Sequence, residues 1–227
     1  MASSTPGRRP RRPRNSLTAD AILDAAELVA AEGLDGLTIR ALATELDSSP
    51  MALYRYFATK DELVDAMLDR VLGRFAMPDD TDDWARDLAV FTQAHRQLLA
   101  AHPWAVPVLF SHPSPGVNAV RIGERALGIL ARGGLRGTEA VAAFSALLAL
   151  NYGWSAFALA RDPSAPVVDR APDLTASLAA LPADAFPFTA AAAGPMAEYG
   201  SDEQYDLALG FLLHGVSATG KPAKRRR

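Results

Sequence analysis

Two short helical stripes separated by three turn residues constrain this chain more than any other feature. Thr38 is suited to be an N-cap, and Ile39, Leu42, Ala43 and Leu46 fall at helical spacing behind it. Asp47-Ser48-Ser49 is turn chemistry, and Pro50 follows where a helix tolerates proline best, at its first position. The next helix is expected over Pro50 to Phe57. Leu53 and Phe57 form its apolar back, and Pro50, Met51, Ala52, Tyr54, Arg55 and Tyr56 are left for its front. Two short helices joined by so few residues make a helix-turn-helix.

The flanks complete a small helical head. Thr18 is a good N-cap, and Leu17 and Ile22 are placed for a hydrophobic staple. Ile22, Ala25, Ala26, Val29 and Ala30 mark a buried face, and Gly33 is a natural terminator. Thr59 and Glu62 make a capping box for a further helix reaching about Phe75, with Leu63, Met67, Val71 and Phe75 on one face. Met77-Pro78-Asp79-Asp80 reads as a boundary.

In register, Leu37-Thr38-Ile39-Arg40-Ala41-Leu42-Ala43, Leu46 to Phe57 and Lys60-Asp61-Glu62-Leu63 resemble the DNA-binding domain of TetR/AcrR-family regulators over residues 16–75. The family usually has glycine where this chain has Asp47; the position needs positive φ, and Asp is among the few other residues that adopt it. The resemblance implies that Thr38, Tyr54, Tyr56 and Lys60 contact phosphates, which fixes register without reading sequence. It also implies that Arg40, Met51, Ala52 and Arg55, on the helix that begins at Pro50 or beside it, face base edges in the major groove.

After the boundary, helices are expected at 82–101, 104–111, 116–132, 138–161 and 201–218, with a proline-rich loop holding at most a short helix over 162–200. No stretch alternates as a strand does, so the fold class is all-α: an N-terminal three-helix helix-turn-helix domain and a C-terminal helical domain that binds a ligand and dimerises. The domain boundaries follow as a disordered basic arm at 1–15, the DNA-binding domain at 16–75, the effector-binding and dimerisation domain at 76–220, and a basic tail at 221–227. The helix over 138–161 is apolar all round, which demands burial on every side. Its small residues, with Tyr205, Leu209, Leu212 and Val216 of the last helix, suggest a four-helix bundle between two subunits. Its length nearly suits a membrane span, but Ser145, Asn151, Tyr152 and Ser155 and the lack of a second span argue against one. Candidate ligand contacts are Phe91, His95, Trp104, Phe110, Asn151 and Trp154, with Asn151 the most suggestive because a buried amide needs partners.

Charge is segregated. Ten of the 23 basic residues, and none of the 26 acidic ones, lie in residues 1–14 and 221–227, so the rest of the chain carries a net of −13. Basic ends on an acidic body suggest contact with a polyanion, the N-terminal arginines reaching a minor groove; solvated tails are the plainer alternative. The absence of cysteine removes disulfides, thiolate metal sites and thiol nucleophiles and suits a cytoplasmic protein. Catalytic motifs fail in detail. Gly153-Trp154-Ser155-Ala156-Phe157 ends in Phe where a nucleophile elbow has Gly, and it lies within a helical stretch. Gly133-Gly134-Leu135-Arg136-Gly137 lacks the first glycine of a dinucleotide loop, and the histidines 95, 102, 112 and 214 show no metal-binding i, i+4 pair. The expected function is a cofactor-free, non-enzymatic repressor. It pairs with itself, binds a palindromic double-stranded operator and is released by a small molecule, with no membrane partner. A ligand-independent activator or architectural protein is the alternative, and an enzyme a remote one.

Overall fold

Each helix of the head starts where a side chain can take up a free backbone N–H. Thr18 Oγ1 accepts from Ala21 N at 3.1 Å to open α1 (Ala19–Ala31), and Thr38 Oγ1 accepts from Ala41 N at 3.1 Å to open α2 (Ile39–Glu45). Ser49 Oγ accepts from Ala52 N at 3.3 Å ahead of α3 (Pro50–Leu53), and Thr59 Oγ1 accepts from Glu62 N at 3.1 Å ahead of α4 (Lys60–Leu72). The return bond of the expected capping box is displaced by one residue: Glu62 Oε2 accepts from Ala58 N at 2.7 Å, the residue before the cap.

These helices belong to a computed structural model that describes residues 17–111, 116–161, 174–198 and 200–220. The expectations for the two basic ends and for residues 162–173 lie outside the described residues. Among the described residues every regular element is helical. Beyond the head come α5 (Trp84–Ala101), α6 (Ala105–Ser111), α7 (Val117–Arg132) and α8 (Gly137–Arg161), then α9 (Leu174–Ala179), α10 (Pro187–Ala191) and α11 (Ala193–Ala197), and finally α12 (Asp202–Thr219).

Two expectations are corrected here. α3 is shorter than Pro50 to Phe57: the regular helix ends at Leu53, and Tyr56 N and Phe57 N both return to Leu53 O in a tight turn. The proline-rich region holds three short helices rather than one at most, because Pro187 and Pro195 sit in first turns, where a missing N–H leaves no helical bond unmade.

The turn between α2 and α3 is a Schellman motif. Ser48 N donates to Ala43 O at 2.8 Å and Asp47 N to Thr44 O at 3.2 Å, with Asp47 itself at φ +46°. The positive φ expected from the sequence is therefore present without a glycine. α4 joins the two halves of the molecule. It packs on α1 through Leu63, Met67 and Val71, all fully buried, and its other side meets α6 and α7. Arg70 pairs with Asp24, and Arg74 with Glu27 at 2.7 Å, which ties α4 to α1 at the rim. In the second half, α5, α7, α8 and α12 surround a core of Leu88, Phe91, Ile129, Leu130, Leu147 and Tyr205. Asp87 on α5 is buried and bound by the Thr81 hydroxyl and by Arg132, an ion pair that locks the 78–87 segment to α7.

Candidate nucleic-acid interface

Leu53 and Phe57 are buried and fasten α3 and its following turn to the head, so the remaining side chains face outward. Met51 is 74% exposed, and Tyr54 and Tyr56 are 45% exposed. Arg40, Arg55, Thr38 and Lys60 are exposed, whereas Pro50 and Ala52 are half-buried. The head thus presents two arginines, two phenols, a thioether and a lysine around a helix N-terminus, a surface with both cationic and apolar contacts for a nucleic-acid groove. Thr38 already spends its oxygen as a cap acceptor, but its hydroxyl hydrogen remains a donor.

Tyr56 has a role that the sequence does not disclose. Its hydroxyl donates to Leu17 O at 2.7 Å, across 39 residues of chain. That bond pins the start of α1 beside the end of α3. No local pattern announces it, because the donor and acceptor flank different helices and the acceptor is a backbone group.

The six candidate ligand contacts divide. His95 and Asn151 come together in a buried network with Thr92 and Tyr205. Asn151 Nδ2 donates to Thr92 O at 2.9 Å and meets His95 Nδ1 at 3.0 Å, while Asn151 Oδ1 accepts from the Tyr205 hydroxyl at 2.8 Å. His95 Nδ1 is therefore an acceptor, its proton resides on Nε2, and burial holds its pKa down at about 4. Burial pushes the Tyr205 phenol up to about 12, so it stays a donor. The amide expected to seek a ligand is satisfied by α5 and α12 instead. Phe91 and His95 join an aromatic string that the sequence did not single out. Phe75 lies 5.2 Å from Phe91 and 6.0 Å from His95; Tyr152 lies 6.0 Å from His95 and 5.7 Å from Phe110. Trp154 donates its indole N–H to Ser201 O at 3.0 Å. Trp104 stands apart from the network and borders a cleft of about 460 Å³ between α1 and the α5–α6 turn.

A second cavity, of about 200 Å³, opens between α5, α6 and α8 and is lined by Arg96, Leu99, Pro103, Val106, Ser155 and Leu159 among others. None of the six sequence candidates lines it. Arg96 arches over the Tyr205 ring at 4.0 Å and pairs with Asp202 at 2.6 Å, which leaves its guanidinium at the edge of the cavity. The segment Gly153–Phe157 lies inside α8, so Ser155 is on no strand-to-helix turn, and Gly133–Gly137 forms the turn from α7 into α8. Among the described residues no cluster of His, Asp and Glu has the grouping of a metal site.

Known proteins share both halves of this arrangement. Residues 22–67 match the model of bacterial regulatory proteins of the tetR family, and residues 77–219 match that of the tetracyclin repressor-like C-terminal domain. The HTH-type transcriptional repressor DrrR1 of Streptomyces coeruleorubidus is 40% identical over 141 residues, which cover 60% of this chain and 52% of that protein. The chain spans about half the length of the curated relatives it matches, 52% and 56% for the first two. Among solved structures, apo ActR from Streptomyces coelicolor superposes with a TM-score of 0.81 at 28% identity, covering 91% of this chain and 97% of that one. ActR in complex with actinorhodin gives a TM-score of 0.81 at 29% identity over 92% and 99% of the two chains. With the head and the C-terminal domain both matched, and with the fold shared over nearly the whole length of a solved relative, this chain belongs to the tetR family of bacterial regulatory proteins.

Proposed function

We propose that this chain is a cytoplasmic, dimeric repressor that leaves its operator when a small molecule occupies the C-terminal domain. The observation that carries the reading is α3: its apolar back is spent on the head, and Met51, Tyr54 and Arg55 project beside it. The reading assigns Arg40, Met51, Ala52 and Arg55 to base edges, with Pro50 opening the helix that carries them, and Thr38, Tyr54 and Lys60 to phosphates; Tyr56, expected at a phosphate, has its hydroxyl proton committed to Leu17 O and serves to hold the head together. DNA binding belongs to residues 16–75 and sensing to 76–220, with α4 as the shared element.

Dimerisation rests on apolar surface left open on α8 and α12. Tyr205, Leu209 and Val216, expected from their spacing to meet a partner, are consumed inside the subunit. The opposite stripe of α12 supports pairing instead, with Leu207 and Phe211 exposed, the latter by 75%, next to Gly210 and His214. α8 offers Val141, Ala142, Ser145 and Ala149 on an exposed face of mostly small side chains that lets a partner helix approach closely. One such helix is long and apolar enough to cross a membrane, over Gly137–Leu159, but Asn151 in its middle is bonded to α5 and α12, which favours burial in protein.

The effector is proposed to be an apolar, ring-bearing molecule with an acceptor group. It would seat in the cavity between α5, α6 and α8, with Arg96 and Ser155 as polar contacts. ActR, solved in complex with actinorhodin, supplies a precedent for a bound ligand in this fold. Selection of bound sequences from random duplexes tests the reading, followed by a release screen on the recovered sequence. A palindrome, and dissociation by such a ligand, is the expected result. Binding unchanged by every apolar aromatic ligand tried, despite ligand uptake, would favour a ligand-independent regulator.

A further inference from the structure

Arg96 is the one charged side chain among the described residues that line the cavity between α5, α6 and α8. Its ion pair is lopsided. The Arg96 side chain is 20% exposed, whereas that of its partner Asp202 is 88% exposed. The guanidinium is held from beneath: its carbon lies 4.0 Å from the centre of the Tyr205 ring, and the Tyr205 hydroxyl is fixed in turn by Asn151 Oδ1. The cation is thus part of the framework, and the acid stands in water.

Such a pair is easily exchanged. An ion pair with an exposed carboxylate contributes little, because water competes for the charges. Asp202 also keeps a favourable setting when it lets go, since it lies in the first turn of α12, where the helix dipole favours negative charge. Its bond occupies Nη2 at 2.6 Å, while a guanidinium offers a planar fork that two oxygens of one carboxylate can fill. A carboxylate inside the cavity meets the opposite balance. Leu99, Pro103, Val106, Ala158 and Leu159 keep its surroundings apolar, so its attraction to Arg96 is screened less than in water, and Ser155 supplies a buried hydroxyl beside it. Size narrows the rest of the molecule. A closed apolar cavity of roughly 150 Å³ holds one benzene. About 200 Å³ therefore takes one ring inside and leaves a second at the opening.

Resting on the reading of this cavity as the effector site, we propose that the effector is an apolar aromatic acid whose carboxylate binds Arg96 in place of Asp202. Arg96 selects acids over neutral acceptors. Asp202 is the internal anion that holds the guanidinium in position until the ligand carboxylate displaces it.

The test uses the full-length protein with β-naphthoate and its uncharged isostere β-naphthamide, titrated by calorimetry at neutral pH. The parent is expected to bind the acid about tenfold more tightly than the amide. Arg96→Gln is expected to bring the two affinities together. Arg96→Lys is expected to restore part of the gap, because an ammonium keeps the charge without the fork. Asp202→Asn changes an exposed side chain and removes the competing carboxylate, so the fold is not at stake. It is expected to tighten the acid about threefold and leave the amide within about twofold. A merely structural role for Asp202 would shift both ligands together. Equal affinities for acid and amide in the parent, or an Asp202→Asn variant that fails to tighten the acid, overturn the proposal and leave the cavity reading standing. Ala158→Trp, which fills the cavity opening, is expected to abolish binding of both. Uptake that this variant does not reduce, or no uptake of either compound by the parent, would strike the cavity reading first, and this proposal with it.

Discussion

Asp69 on α4 caps α7 from outside that helix: its Oδ1 accepts from Asn118 N at 2.8 Å, and its Oδ2 and backbone O accept from Asn118 Nδ2 at 2.9 and 3.0 Å. Gly116, the N-cap residue of α7, has no side chain to do this, and a Cβ there would lie 2.1 Å from the Asp69 carboxylate. The head is thereby bolted to the C-terminal half at one point on the helix the two share. Asp69→Ala is expected to cost about 1–3 kcal/mol, or roughly 2–4 °C in Tm for each kcal/mol. It is also expected to weaken the response of operator affinity to the effector more than operator affinity itself. Calorimetry and ligand-dependent binding check the two parts separately.

Arg55→Ala and Tyr54→Ala are expected to lower operator affinity by about 1–3 kcal/mol each. Arg55→Ala should relax discrimination at one base pair, and Tyr54→Ala should weaken all sequences alike. Sedimentation of both variants as dimers would separate the loss from misfolding. Unchanged affinity in both would remove α3 from the interface.

Asp47 at φ +46° occupies a conformation that costs most L-residues roughly 1–2 kcal/mol. Asp47→Gly is expected to raise stability by up to about 1 kcal/mol, less what the extra freedom of glycine in the unfolded chain takes back. Asp47→Val is expected to lower it by more than about 1 kcal/mol. Denaturant melts of the two variants report the ordering, and a destabilised Asp47→Gly would contradict the account.

Acid stability should have a histidine limb. His95 is held neutral in the core with a pKa of about 4, lowered by burial from 6.5. The unfolded chain takes up this proton first, so stability falls as pH drops from about 6.5 to 4, by roughly 3 kcal/mol in all, and levels below that. Asp87 titrates in a lower window. The Thr81 hydroxyl foremost, then Thr81 N–H and Arg132, hold it at about 2, so its contribution is present above 3.8 and lost toward 2. His95→Gln, which preserves an acceptor for Asn151, is expected to flatten the limb between pH 6.5 and 4. Melts across pH that remain identical to the parent would contradict the assignment of that limb to His95.

Where one residue and its near neighbours decide the outcome, the sequence is readable. Thr18, Thr38 and Thr59 cap the helices they precede, Pro50 begins α3, and Asp47 adopts positive φ, because each effect acts within a few residues. The Tyr56–Leu17 and Asp69–Asn118 bonds span 39 and 49 residues, and no period encodes such pairs. α12 is apolar on two stripes, so spacing alone does not say that Tyr205 turns inward and Phe211 outward; the buried amide of Asn151, which takes the Tyr205 hydroxyl, decides it. Asn151 was legible as a group in need of partners, but those partners come from α5 and α12, which only the fold brings together.

Dimethyl sulfate protection on the selected operator most directly tests the central claim, that paired α3 segments lie in the major groove. Guanine N7 atoms should be shielded in two patches centred about 10–10.5 base pairs, or a multiple, apart on one face of the duplex, with one guanine re-exposed by Arg55→Ala. A single patch, or bound duplex whose N7 atoms all remain reactive, would contradict it.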